Sequence, residues 1–151
     1  MLMEVPVKLF DRKVDNVKVG AGSFCFFPKE GLEKAQIGYQ LEEDRTESKR
    51  WVGKEFVVIG KNSVKGEPII AKLDEPTLPI YTLINNDRGE LQKVSNSFDQ
   101  YMEVLNMIDN TDLYRRDKIN ELTRELEGKV PKESMYYWEN VLLSAYDYLA
   151  D

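Results

Sequence analysis

WVGKEFVVIGKNSVKGEPIIAKLDEPTLPIYTLINNDRGELQKVSNSFDQYMEVLNMI, residues 51–108, is the stretch whose reading decides the fold. In EFVVIG, Phe56 and Val58 fall on one face of an extended chain, and Val57 and Ile59 fall on the other. Apolar residues on both faces mark a central strand covered on both sides. KNSVKG reads as a turn in which Gly66 supplies the backbone freedom. Strands are expected over Glu67–Leu73 and Leu78–Ile84, joined by DEPT, and Asn85–Gly89 reads as a hairpin loop leading to a strand at Leu91–Val94. Connections this short enforce antiparallel pairing, because parallel neighbours need a long crossover. A helix follows. Ser97 and Gln100 fit a capping box, and Asp99 lies in the first turn, where the helix dipole favours a carboxylate. Phe98, Tyr101, Met102, Leu105 and Ile108 recur at helical spacing and form one apolar stripe for packing on a sheet.

Towards the N-terminus, Val5, Val7 and Leu9 alternate with Glu4, Pro6 and Lys8. That is a strand period, which Pro6 confines to a sheet edge. Val17 and Val19 continue it, Gly20 to Gly22 marks a turn, and the SFCFF run is a strand that Pro28 ends. Ile37–Leu41 reads as another short strand, and the charged run EEDRTESKR (42–50) as a solvated loop. Towards the C-terminus, a helix over Leu113–Glu127 turns Ile119, Leu122 and Leu126 inward and stops at Gly128. Pro131 suits the first position of a further helix. Its stripe is Met135, Trp138, Val141, Leu142, Ala145, Tyr148 and Leu149, with Tyr136, Tyr137 and Tyr146 outside it. The expected class is α+β: one domain over residues 1–151, mainly an antiparallel sheet with helices packed on it and a helical C-terminal part over 111–151.

The 151 residues are 42% hydrophobic and 32% charged, enough for a buried core. A net charge of −6 disfavours a nucleic-acid backbone or an anionic membrane surface and favours a basic partner; it also serves solubility alone. The chain has no histidine, which removes the usual general base, the commonest metal ligand and any Ser-His or Cys-His nucleophile. The single cysteine, Cys25, excludes an internal disulfide and a cysteine-based zinc cluster, and its apolar neighbours suggest a buried, inert thiol. No phosphate-binding glycine motif occurs. No cofactor or metal is expected. MLMEVPVKLF does not read as a signal peptide and no apolar run is long enough for a bilayer, so a cytoplasmic protein is expected.

KEFVVIGKNSVKGEPIIAKL resembles the SUKH superfamily, in which a strand ending in Ile-Gly is followed by an Asn or Asp turn, then Gly-Asp or Gly-Glu and another apolar strand. The matching positions are Ile59, Gly60, Asn62, Gly66, Glu67, Ile69 and Ile70. The resemblance continues through LPIYTL, with an aromatic at Tyr81, and ends in VSNSFDQYMEVL at the Ser97-Phe98 pair; it covers residues 51–108. It implies an α+β interaction domain without catalytic activity. Many bacterial members look like immunity proteins that bind and neutralise a toxin, often a nuclease, and a fungal branch regulates cell-wall glucan synthesis.

The residues themselves offer a short set of partner-binding candidates. Glu67 either begins a strand with a solvent-facing carboxylate or helps to form a partner site. Glu42, Glu43 and Asp44 are either a solvated charge run or a toxin-facing patch. Tyr136 and Tyr137 lie off the helical stripe, where tyrosine suits an interface with a partner or with a second copy. A regulatory protein with an endogenous partner is the second reading. A small carboxylate-dependent hydrolase is the third, although among 27 acidic residues some suitable pair arises by chance.

Overall fold

The computed structural model describes residues 4–12 and 15–150, with the side chains of 86 and 148–150 excepted. The stripe positions Tyr148 and Leu149 therefore lie outside the described side chains. Six strands run in chain order across one sheet, each antiparallel to its neighbours: β1 (Asn16–Val19), β2 (Gly22–Phe26), β3 (Phe56–Asn62), β4 (Glu67–Lys72), β5 (Ile80–Leu83) and β6 (Leu91–Ser95). Helices are α1 (Leu32–Ala35), α2 (Phe98–Asp109), α3 (Arg116–Glu127) and α4 (Met135–Ala150). The class is α+β, as expected, and short connections give every antiparallel pair except β2–β3, whose strands are joined by the long segment 27–55. Among the described residues no helix is long and apolar enough to cross a membrane.

Both faces of the sheet are covered, as the apolar residues of β3 require. Val57 and Ile59 join the larger core with Phe24, Phe26, Ile69, Ile80 and the inward residues of α2, α3 and α4. Trp138, Tyr101 and Phe24 sit at its centre; Trp138 stands edge-on to Phe24 with ring centroids 6.1 Å apart. On the other face Val58, Ile70 and Leu83 are buried under Phe27, Tyr39, Trp51, Phe56, Tyr81 and Leu91. Gly60 is required by close approach: a Cβ there would lie 2.4 Å from the carbonyl oxygen of Cys25. The β3–β4 register shifts between Val58 and Gly60, a bulge that sits beside this contact.

The edge strand β6 is tied down by the start of α4. Ser134 Oγ donates to the carbonyl of Lys93 at 2.7 Å, and Trp138 Nε1 donates to that of Val94 at 2.9 Å. This consumes acceptors that an open edge would present to other chains. Ser97 caps α2 by accepting from the Gln100 amide at 3.0 Å, but the Gln100 side chain accepts from the Asn96 amide, one residue earlier than a standard capping box.

Several sequence expectations are corrected. Residues 7–10 form a single 3-10 turn after Pro6 rather than an edge strand, since Leu9 alone of the alternating set is buried and Val7 is 75% exposed. Ile37–Leu41 is not a strand: Gly38 has φ +91°, which breaks any extended run, and only isolated bridges remain. Residues 32–35, read as neither helix nor strand, form α1. Cys25 is half-buried rather than buried, with Sγ 3.1 Å from both Asn16 Nδ2 and Ser23 Oγ. Tyr137 belongs to the core, and Tyr146 packs against it under the Arg116 guanidinium. Pro131 precedes a 3-10 turn at Lys132–Ser134 that leads into α4.

One buried side chain organises the segment between β2 and β3. Beyond Phe27, β2 no longer pairs with β3, and Gln36 takes its place. Its Nε2 donates to the Val58 carbonyl at 2.7 Å and its Oε1 accepts from the Val58 amide at 2.9 Å. The same Nε2 reaches the Leu32 carbonyl at 2.9 Å, closing α1. Gln36 is fully buried, so each bond is made away from water. Gln36→Leu keeps the volume and leaves the two Val58 groups unpaired, so chemical denaturation should show a loss of about 2–4 kcal/mol, from roughly 1–3 kcal/mol for each orphaned group. A loss below about 1 kcal/mol would mean that Val58 finds other partners.

Candidate functional site

The turn from β3 to β4 and the connection from β5 to β6 lie at the same end of the sheet, because β5 runs antiparallel to β4 and its last residue comes level with the start of β4. Asn62 shapes the first turn: its Oδ1 accepts from the Val64 amide at 3.0 Å, and Gly66, with φ +71°, completes the reversal. Together they set Glu67 at the first position of β4. The second connection carries Asn85 in a left-handed conformation at φ +54°. The first turn of α4 meets this end of the sheet, and between them is a cleft of about 270 Å³ lined by Lys65, Glu67, Ile84, Asn85, Gln92, Tyr136, Tyr137 and Asn140.

Three of the sequence candidates, Glu67, Tyr136 and Tyr137, therefore meet at one cleft. Their exposures differ sharply. Tyr136 is 74% exposed, whereas Tyr137 is 6% exposed and accepts a hydrogen bond from Asn62 Nδ2 at 2.8 Å, so it is a wall of the cleft rather than a projecting contact. Glu67 is half-buried instead of solvent-facing, and its Oε1 is shut off from solvent with no hydrogen-bond partner. Burial pushes the Glu67 carboxyl above its ordinary range, with nearby Lys65 opposing the shift. The Tyr137 hydroxyl is raised well above its usual value, first by burial and then by the Glu67 charge. Behind it, burial likewise raises Tyr101, whose hydroxyl lies close to that of Tyr137 without a hydrogen bond of ordinary geometry.

Glu42, Glu43 and Asp44 line a separate, shallow cleft with Gly38, Thr46 and Arg88. Their loop is ordered by its own bonds. Asp44 Oδ1 accepts from the Thr46 hydroxyl at 2.6 Å and from the Thr46 amide at 3.1 Å, and these bonds, the hydroxyl first, hold its carboxyl below the ordinary range. Glu42 Oε1 accepts from Arg88 Nη1 at 3.0 Å. Glu43 projects into solvent without a partner among the described residues. The two groups of candidates flank one loop, since Asn85 lines the first cleft and Arg88 the second.

A larger groove of about 550 Å³ runs between the 7–10 turn and α2, past Asp11, Asp99, Glu103 and Asp109. Its cations are already engaged: Lys8 pairs with Asp99 at 2.7 Å, and the nearly buried Arg12 binds the carbonyls of Leu9 and Phe27 and pairs with Asp15. Among the described residues no group of three or more His, Cys, Asp or Glu could hold a metal ion. Comparison with family models, with curated proteins and with solved structures returned no match.

Sequence reasoning missed Asn85, Gln92 and Asn140. A single amide on an exposed helix face or strand carries no periodic signal, and these residues converge only through the tertiary fold. Asn140 follows Tyr136 by one helical turn, and that spacing was the one available clue.

Two predictions concern this cleft. Because the folded-state pKa of Glu67 is raised, its contribution to stability is present below the ordinary carboxylate range near 4.5 and is lost as pH rises through the higher folded value. Glu67→Gln should therefore raise the melting temperature at about pH 7 and show little advantage at about pH 4; equal effects at both would contradict it. Tyr137→Phe strands the buried Asn62 donor and should cost about 1–3 kcal/mol in denaturant, while Tyr101→Phe, which removes an orphaned hydroxyl, should leave stability unchanged or higher.

Proposed function

We propose that this chain is a non-enzymatic protein-binding domain that neutralises a basic partner, in the manner of the toxin-immunity proteins that residues 51–108 resemble. The observation that carries this reading is the end of the sheet where the candidates gather. Glu43 and Asp44 on one side of the β5–β6 connection, and Glu67 and Tyr136 on the other, border one loop. Two residues separate Asn85 from Arg88, so their Cα atoms, three peptide links apart, lie within about 11 Å of each other. Carboxylates beside an exposed tyrosine suit a protein interface, where charge steers encounter and an aromatic ring anchors contact.

The net charge of −6 extends this local pattern to the whole molecule and favours a partner of opposite sign. A nuclease toxin presents a basic surface to its phosphate substrate, and a carboxylate-bearing face competes for the same field. The expected site of action is the cytoplasm.

Co-expression with a basic toxin domain encoded beside this gene should restore growth. The affinity of the purified pair should fall about tenfold or more as salt shortens screening from about 10 Å at 0.1 M to about 3 Å at 1 M. Absence of protection, or an affinity unchanged across that range, would contradict the proposal.

A further inference from the structure

We infer that the cleft beside Glu67 is a receptor for a single arginine side chain of the partner, a conclusion that rests on the protein-binding reading above. Size comes first. Pockets for drug-sized ligands measure roughly 300–1,000 Å³, so a cleft of about 270 Å³ matches one long side chain. Its chemistry is that of an acceptor. Among the described lining residues Glu67 is the only carboxylate, and it forms no salt bridge with any described residue. Asn140 spends its Nδ2 on the Tyr136 carbonyl at 2.9 Å, which leaves its Oδ1 for a ligand. Gln92 and Asn85 bring further amides with no hydrogen bond of their own among the described residues.

The apolar parts complete the fit. Ile84, 37% exposed, offers a surface for a methylene stem, and the exposed ring of Tyr136 offers a face on which a guanidinium can stack. A guanidinium also matches a carboxylate and flanking amide oxygens better than an ammonium does, because its donors lie in a rigid plane. The orphaned Oε1 supplies the energetic reason. Glu67 is partly desolvated with one oxygen unpartnered, a cost that a cation at its carboxylate would offset. Lys65, exposed at the rim, is the only cation among the described lining residues and competes for the same carboxylate.

The test uses the peptide Ac-Gly-Arg-Gly-amide and its uncharged citrulline counterpart, titrated into the ¹⁵N-labelled full chain and followed by the side-chain amide signals of Asn85, Gln92 and Asn140. The arginine peptide should give saturable shifts and the citrulline peptide none. Glu67→Gln should weaken binding about tenfold or more while keeping a folded spectrum, Lys65→Ala should tighten it, and Glu30→Gln, an exposed change beyond the far end of β2, should leave it unchanged. Equal shifts with citrulline, full affinity in Glu67→Gln, or arginine-induced shifts confined to residues 42–48 would each overturn the inference. Any of these results leaves the protein-binding reading to the growth and salt measurements, which do not depend on this cleft.

Discussion

The pairing of Gln36 with Val58 is the contact on which much of the molecule depends. Pro28 has no amide proton to donate, and β2 stops short of the length of β3. The backbone of β3, in which five of seven residues are buried, would then expose a donor and an acceptor to the interior. A side-chain amide has both groups in the geometry of a peptide, so Gln36 continues the sheet where the backbone cannot. The same residue anchors the long segment leading to β3. That segment covers the second face of the sheet with Tyr39 and Trp51, whose Nε1 donates to the Phe56 carbonyl at 2.9 Å. It also carries Glu42, Glu43 and Asp44 to the end of the sheet where Arg88 meets them. The acidic loop is charged and exposed, yet its position is set by a neutral, buried side chain.

At the other cleft the fold gives up stability. Glu67 Oε1 and the Tyr101 hydroxyl are both buried without partners, and both lie next to Tyr137. Native proteins keep few such groups, and a concentration of them in one place is the pattern expected where structure serves binding rather than folding. Asn62 links the two roles. It shapes the turn before Glu67 through its carbonyl and holds Tyr137 through its amide nitrogen. A change in the turn would therefore be felt in the wall of the cleft.

How much of this was legible depended on the range of the contacts. The strands from Phe56 to Ser95 and the helix after Ser97 were readable because their signals are local: alternation, turn residues and a cap. The first fifty residues were harder. Residues 7–10 alternate like a strand but bury only Leu9, and Gly38 interrupts a run that otherwise reads as extended. Gln36 gave no warning, since a buried glutamine looks like any surface glutamine until its partner is known. In the candidate site, Glu67 and Tyr136 could be singled out from a turn and from a broken stripe. Tyr137 reads as lying off the stripe because α4, 16 residues with aromatic side chains on neighbouring positions, has no single dry face. The amides of Gln92 and Asn140 reach the cleft from different elements, and no spacing in the chain joins them.

The segment between β2 and β3, which carries the acidic loop, is held in place before any partner arrives through the amide of Gln36. Native-state hydrogen exchange at the Val58 amide measures that bond directly. Exchange is expected to be as slow as at Val57 and Ile70, the neighbouring positions within the sheet. Exchange of Val58 at the rate of an exposed loop amide, with Val57 and Ile70 still protected, would contradict it.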